Sequence, residues 1–331
     1  MSVTDPRGTP FRRGTAGDPT HPVDPTGDPA ADEVGTGHPV LPPPTGAKRR
    51  GRRGGLRRPT TLLAWALLAL VVLTAVLAPL VAPYDPAQQD PTVTLLTPGS
   101  PGHLLGTDNF GRDQFTRLLY GGGPLIITAI SSVLLAALIG SLIGLVAGYR
   151  GGWVDTVAMR AMDVLLSFPL ILLAIMVVAA LGTGLVNLII AVAVSQVPVF
   201  ARLVRALTMR ESGREYVLAA RSGGFRPSRI LFGEIAPNLL GPLVVQATST
   251  VAVATGYAAA MSYLGLGIQP PTADWGLMVK EGQQYLFQAP DLVIVPGLLI
   301  TAFVTACNFA GDDLRDRLDP GGALTAKEAR R

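Results

Sequence analysis

The chain has 331 residues, of which 49% are hydrophobic and only 15% charged, with a net charge of +4 and a mean hydropathy of +0.41. Its apolar residues fall in blocks, a balance that excludes an ordinary soluble domain and points to a membrane protein. The single cysteine, Cys307, excludes a disulfide framework within the chain, and His21, His38 and His103 lack the Cys or carboxylate spacing of a metal site, so no metal is expected.

Residues 1–58 are dominated by Pro, Gly, Thr and Asp until a basic cluster of Lys48, Arg49, Arg50, Arg52, Arg53, Arg57 and Arg58. Such a segment cannot bury enough apolar surface to offset its ordering entropy, so a disordered tail is expected. The basic cluster directly precedes an apolar run, which points to juxtamembrane orientation and anionic lipid rather than to nucleic acid. No small-residue cleavage site marks a signal peptide. Six apolar runs long enough to cross a bilayer follow, at 61–83, 124–148, 164–182, 185–201, 239–261 and 292–310. None contains Asp, Glu, Lys, Arg or His. Continuous runs, unlike the short alternating strands of a barrel, predict an all-α membrane protein of six transmembrane helices over 59–320, with a tail at 321–331.

With the N-terminus inside, 24 of the 27 Lys and Arg lie in inside segments and only Arg112, Arg117 and Lys280 outside, so both termini are expected in the cytoplasm. Gly182, Thr183 and Gly184 alone separate the third and fourth runs, which demands a tight hairpin. Pro169, Pro198, Pro242 and Pro296 fall within runs and are expected to kink them. Ser195, Gln196, Gln246 and Thr248 are polar positions inside spans, open to reading as pathway lining or as interhelical glue.

Between the fourth and fifth runs lies a polar segment, Arg202 to Asn238. Ser212-Gly-Arg-Glu215 has the capping-box pattern and predicts a helix of about ten residues through Tyr216, Val217, Ala219, Ala220 and Arg221. Gly223-Gly224 would stop it, because glycine accepts the left-handed C-terminal conformation. Pro227 suits the first turn of a second short helix, which Pro237 would close. On the opposite side, Asp108 and Asp113 bracket Arg112, so ion pairs and Asx turns could order that loop. Pro270, Pro271 and Trp275 could form a stiff interfacial anchor. For both outside segments, scaffolding and direct contact with substrate or a binding protein stay open.

The run Glu215-Tyr-Val-Leu-Ala219-Ala220-Arg221-Ser-Gly-Gly224, followed by Ile235-Ala-Pro237-Asn238, resembles the EAA loop of binding-protein-dependent ABC importer permeases. Leu218 stands where that motif usually has Glu, and Ala236 where it usually has Leu. Gly106-Thr107-Asp108-Asn-Phe-Gly111-Arg112-Asp113 resembles the segment before the second span in the dipeptide/oligopeptide branch of that family. Ser262 to Gly276, which includes Gln269, Pro270, Pro271 and Trp275, resembles its external loop after the fifth span, and Asn308 to Asp316 its C-terminal signature.

The resemblance implies a multi-pass permease subunit in the cell membrane, forming half of an alternating-access pathway for peptides or a related small solute. It implies a second homologous permease, two ATP-binding cassette ATPase subunits and an extracytoplasmic solute-binding protein as partners. Glu215, Ala219, Ala220, Arg221, Gly224, Pro237 and Asn238 would then form the loop that enters a groove on the ATPase. The chain itself is not expected to be an enzyme or to carry a cofactor. A phosphate-binding P-loop needs Gly-Lys-Ser/Thr, whereas Lys48, Lys280 and Lys327 are followed by Arg, Glu and Glu; ATP and Mg would bind the partner ATPases. The rival readings are a secondary transporter, which commonly places ionisable residues inside the membrane, and a channel lined by the polar span residues. The substrate itself, whether dipeptide, longer peptide, nickel chelate or glutathione, is not legible.

Overall fold

A computed structural model of the chain describes residues 59–318. The expected tails at 1–58 and 321–331 lie outside the described residues. Among the described residues there is no strand, and two isolated β-bridges, Ser100 with His103 and Thr107 with Asp113, only tie a loop.

The helices are α1 (Pro59–Val81), α2 (Gln114–Arg150), α3 (Gly152–Leu166), α4 (Leu170–Leu181), α5 (Leu185–Ser212), α6 (Glu215–Ser222), α7 (Pro227–Arg229), α8 (Ala236–Tyr263), α9 (Trp275–Gly282) and α10 (Asp291–Leu318). A π-helical turn, Ile230–Ile235, joins α7 to α8 without a break. Five helices are long and apolar enough to cross a membrane, and a sixth crossing exists if α3 and α4 count as one bent span.

Several boundaries differ from the expected runs. Helix α2 starts ten residues before 124, because Asp113 caps it by accepting from the Thr116 N–H at 2.8 Å. Helix α5 continues past 201 through Arg202 and Arg205, whose guanidinium groups pair with Asp163 and Asp155 of α3. The third run is not one helix. It breaks at Ser167-Phe168-Pro169, and α3 meets α4 at 92°. Proline disfavours helical backbone at Phe168 and brings no N–H of its own, so the chain turns there rather than kinking. With 12 residues, α4 is about 18 Å long, well short of the roughly 30 Å hydrocarbon core. By contrast Pro198, Pro242 and Pro296 lie inside continuous helices.

The centre of the fold is the contact between α2 and α5. Gly140, Gly144 and Gly148 recur every fourth residue on α2, and a Cβ at each would lie within 2.5–2.7 Å of α5 atoms at Phe200, Val197, Ala201 and Arg205. The missing side chains therefore let the two backbones touch, the small-residue mode of membrane helix association. Around this seam Val133, Ala136, Val192, Phe200 and Met261 form one apolar cluster. A second, with Leu125, Trp275, Phe303 and Cys307, joins α1, α2, α8, α9 and α10.

Candidate functional site

Helix α6 is held down by one face only. Val217 is fully buried among Leu145 of α2, Val204 of α5 and Ile230, Leu231 and Ile235 of the π turn. A π-helix brings residues five apart onto one face, which is why Ile230 and Ile235 share this cluster. The other face of α6 exposes Glu215, Leu218, Ala219 and Arg221, while Ala220 is half-buried. The Arg221 guanidinium lies 4.7 Å over the Tyr149 ring, and Arg229 lies 4.3 Å over Phe225, so both cations are also held by aromatic faces of this chain.

The end of α6 follows the expected glycine stop. Gly224 sits at φ +73°, its N–H bonds the Arg221 carbonyl at 3.0 Å, and Phe225 N–H reaches the Ala220 carbonyl at 3.2 Å, the Schellman arrangement. The start does not follow the capping box. Ser212 is the last residue of α5, its hydroxyl is buried without a partner, and Arg214 occupies the N-cap position with no side-chain cap. Pro237 likewise closes nothing: it lies just after the π turn Ile230–Ile235, and the helix runs on through it from Pro227 to Tyr263.

Beneath α6 the expected Tyr216 and Asn238 meet Glu211, which the sequence did not single out. The Glu211 carboxylate, buried at the end of α5, accepts from Tyr216 Oη at 3.0 Å and pairs with Arg214 Nε at 3.0 Å and Arg210 at 3.4 Å. Asn238 Nδ2 donates to the Tyr216 hydroxyl at 3.2 Å and to the Glu234 carbonyl at 2.7 Å. Burial and the neighbouring Glu211 carboxylate push the Tyr216 phenol above its ordinary value, so it stays protonated and donates. A polar chain thus links α5, α6 and α8. The only sequence signal for Glu211 is an acid set between Arg210 and Arg214.

At the opposite end of the helices, the Gly106 to Asp113 loop is built around buried charge. Thr107 Oγ1 accepts from Leu96 N–H at 3.0 Å and donates to the Val93 carbonyl. Asp108 accepts from Phe110 N–H, Arg112 N–H and Arg112 Nε. Gly106 and Gly111 turn the loop at φ +73° each. Arg112 and Arg117 are 1% and 0% exposed, and both reach the Glu281 carboxylate of α9, at 2.7 and 3.1 Å. Arg117 also donates to the carbonyls of Pro86 and Pro271. The network ties the loop, α2, the Pro270-Pro271 turn and α9 together.

Trp275 belongs to the same assembly. It is 2% exposed, its ring lies over Gly121 and Gly122, and Nε1 donates to the Leu118 carbonyl at 2.8 Å. The ring is therefore packed inside the protein rather than presented on its surface. Gln269, Pro270 and Pro271 are exposed, and the Gln269 amide bonds the Gly265 and Gly267 carbonyls. Asp274 caps α9 by accepting from Leu277 N–H at 3.0 Å, and its burial raises the carboxyl above its ordinary range.

The four polar span residues are separated. Ser195 and Gln196 are buried within α5 contacts, and Ser195 Oγ bonds the Val192 carbonyl. Gln246 lines a 790 Å³ cavity between α5, α6, α8 and α10, whereas Thr248, two residues on, faces a 460 Å³ apolar groove against α1 and α10. Two residues are about 200° of helix, so the pair points opposite ways. No group of three or more His, Cys, Asp or Glu side chains that could hold a metal converges among the described residues.

Comparison with known proteins adds the following. The family described as the binding-protein-dependent transport system inner membrane component matches residues 140–321, and the N-terminal TM domain of oligopeptide transport permease C matches residues 56–98. The di/tripeptide transport system permease protein DppC of Pseudomonas aeruginosa is 41% identical over 279 residues, covering 83% of this chain and 89% of the relative. The nickel transport system permease protein NikC of Escherichia coli is 40% identical over 258 residues, covering 78% and 93%. Among solved structures, the inward-facing MetNI methionine ABC transporter gives a TM-score of 0.50 at 22% identity, covering 61% of this chain and 96% of that one. At that identity the likeness concerns the fold alone.

Proposed function

The chain belongs to the family of inner-membrane components of binding-protein-dependent transport systems, a permease subunit of an ABC importer whose ATPase activity resides in separate subunits, and we propose how its two ends divide the work. The end carrying α6 faces the cytoplasm, with both termini on that side, and α3 with α4 makes the third of six crossings over 59–320. The exposed Leu218–Ala219 face of α6 enters the groove of an ATP-binding cassette subunit that holds ATP and Mg. A second homologous permease completes the pathway along α8, and an extracytoplasmic solute-binding protein docks at the end braced by Arg112, Arg117 and Glu281. The solute is a di- or oligopeptide, in line with the relatives named for di/tripeptides.

The observation that carries this reading is the stance of α6. One face is fixed on α2, α5 and the π turn, the other leaves Leu218 and Ala219 bare between the exposed charges of Glu215 and Arg221, and the π turn on which the helix rests leads without a break into α8. This geometry suits a partner's push better than a secondary transporter or a channel. Mutating the P-loop lysine of the partner ATPase should abolish peptide uptake while all subunits remain in the membrane. Uptake at the parental rate in that background would refute the coupling.

A further inference from the structure

The 790 Å³ cavity under α6 is lined by three guanidinium groups, Arg210, Arg214 and Arg315, against a single carboxylate, Glu211. That carboxylate is already committed to Arg214, Arg210 and the Tyr216 hydroxyl. Arg315 makes no ion pair or hydrogen bond among the described residues. The cavity therefore holds an excess of two positive charges beside polar side chains of α8, and its volume falls within the range of small-molecule sites.

We propose that this cavity is a docking site for the carboxylate of a dipeptide-sized solute at the cytoplasmic mouth of the half-pathway, with Arg315 and Arg214 as its anion-binding groups. The proposal rests on the importer reading and its orientation. A guanidinium presents a planar fork of donors that matches a carboxylate in two parallel hydrogen bonds, and such charge-assisted pairs are the strong ones. Leu203, Pro242 and Val245 supply apolar wall for a side chain. Gln246 Nε2 is spent on Thr250 at 3.2 Å, which leaves its carbonyl oxygen to accept from an ammonium. One lining thus offers partners to both ends of a zwitterion. Occupied from the cytoplasm, the site would hold released solute at the exit and slow the next cycle.

The same arginines could instead meet lipid phosphates, so the test separates the two sources. The assembled transporter, with its ATPases but without the binding protein, is placed in phosphatidylcholine nanodiscs and titrated calorimetrically with dialanine and with dialanine amide. Dialanine should bind about tenfold or more tightly than the amide, the difference expected for one charge-assisted contact. Arg315→Gln should erase most of that preference and Arg315→Lys should keep part of it. Equal binding of acid and amide, or an unchanged preference in Arg315→Gln, would overturn the site. Complete loss of dialanine binding in phosphatidylglycerol discs would reassign the arginines to lipid and overturn it equally. ATP-driven dialanine uptake in proteoliposomes is measured alongside. Uptake without an acid-over-amide preference defeats the site and leaves the importer reading standing, whereas absence of ATP-driven uptake for any peptide defeats the reading and the site with it.

Discussion

Glu281 bridges Arg112 and Arg117, two guanidinium groups almost wholly removed from solvent, so we predict that Glu281→Ala is among the most damaging single changes outside the membrane-spanning helices. Without Glu281, Asp108 alone faces both cations, at 2.6 Å from Arg112 Nε and 3.5 Å from Arg117 Nε. Removing one partner of a buried pair leaves an uncompensated charge and costs about 3–5 kcal/mol. Against a total stability of roughly 5–15 kcal/mol, that is a large share. Thermal unfolding of the detergent-solubilised protein, followed by tryptophan fluorescence, reports the change directly because Trp275 packs on the same α2 turn. Arg117→Met and the double variant complete a cycle, and removing both partners should cost much less than the sum of the single losses. A Glu281→Ala loss within about 0.5 kcal/mol of the parent, the range of an ordinary surface change, would show that the network is only a solvated ion cluster.

We further predict that Gly224→Val destabilises the end of α6 by about 1–2 kcal/mol through its positive φ alone, since a Cβ there meets nothing within 4 Å. The variant should accumulate in the membrane yet lose ATP-driven uptake; parental uptake would remove α6 from the coupling role. Tyr216→Phe should cost about 1–2 kcal/mol by leaving Glu211 and Asn238 short of a partner, and should lower the ATPase stimulation that accompanies transport, whereas unaltered stimulation would detach this polar chain from coupling. For Asp274, burial raises the folded carboxyl above its ordinary 3.8, so its stabilising contribution is fully present below 3.8 and is lost as pH rises through the raised value. Asp274→Asn keeps an oxygen for Leu277 N–H and should flatten the dependence of unfolding temperature on pH in that window; identical profiles for the two proteins would refute the assignment. Reporters fused after residue 331 and within residues 263–290 should lie on opposite sides of the membrane, and a shared side would sink the six-crossing orientation.

The helical blocks were legible because a run without charge has little alternative to burial in lipid, and the glycine stop of α6 because Gly223-Gly224 follows a helix-forming stretch. The helix ends were less so. Arg202 and Arg205 read as the start of a loop, yet Asp163 and Asp155 neutralise them and α5 continues. Ser212 read as a cap because its spacing to Glu215 fits, but the helix before it had not ended. Pro169 read as a kink, and only the 92° turn between α3 and α4 distinguishes a kink from a break. Trp275 read as an interfacial residue because its neighbours are polar and proline-rich; the carbonyl that satisfies its indole lies 157 positions away, on α2. A glutamate in the short segment between α8 and α10 likewise gives no sign that two arginines far upstream converge on it.

The continuity of α7, the π turn and α8 bears on how a movement at α6 would travel. A loop closed by Pro237 would have uncoupled α6 from the membrane, because a flexible joint absorbs displacement. Instead Val217 of α6 shares a fully buried cluster with Ile230 and Ile235, and those residues are already part of the helix that ends at Tyr263. Close-packed side chains have few intermediate arrangements, so a shift of α6 displaces the start of α8 rather than dissipating between them. The Glu211, Tyr216 and Asn238 chain adds a directional link across the same junction, from the end of α5 through α6 to the first turn of α8. Four residues beyond Gln246, whose amide lines the proposed solute site, Thr250 is buried and hydrogen-bonded to it. In the proposed coupling, the segment that would receive the partner's push is thus the segment that shapes the cavity, and no separate hinge is needed between them.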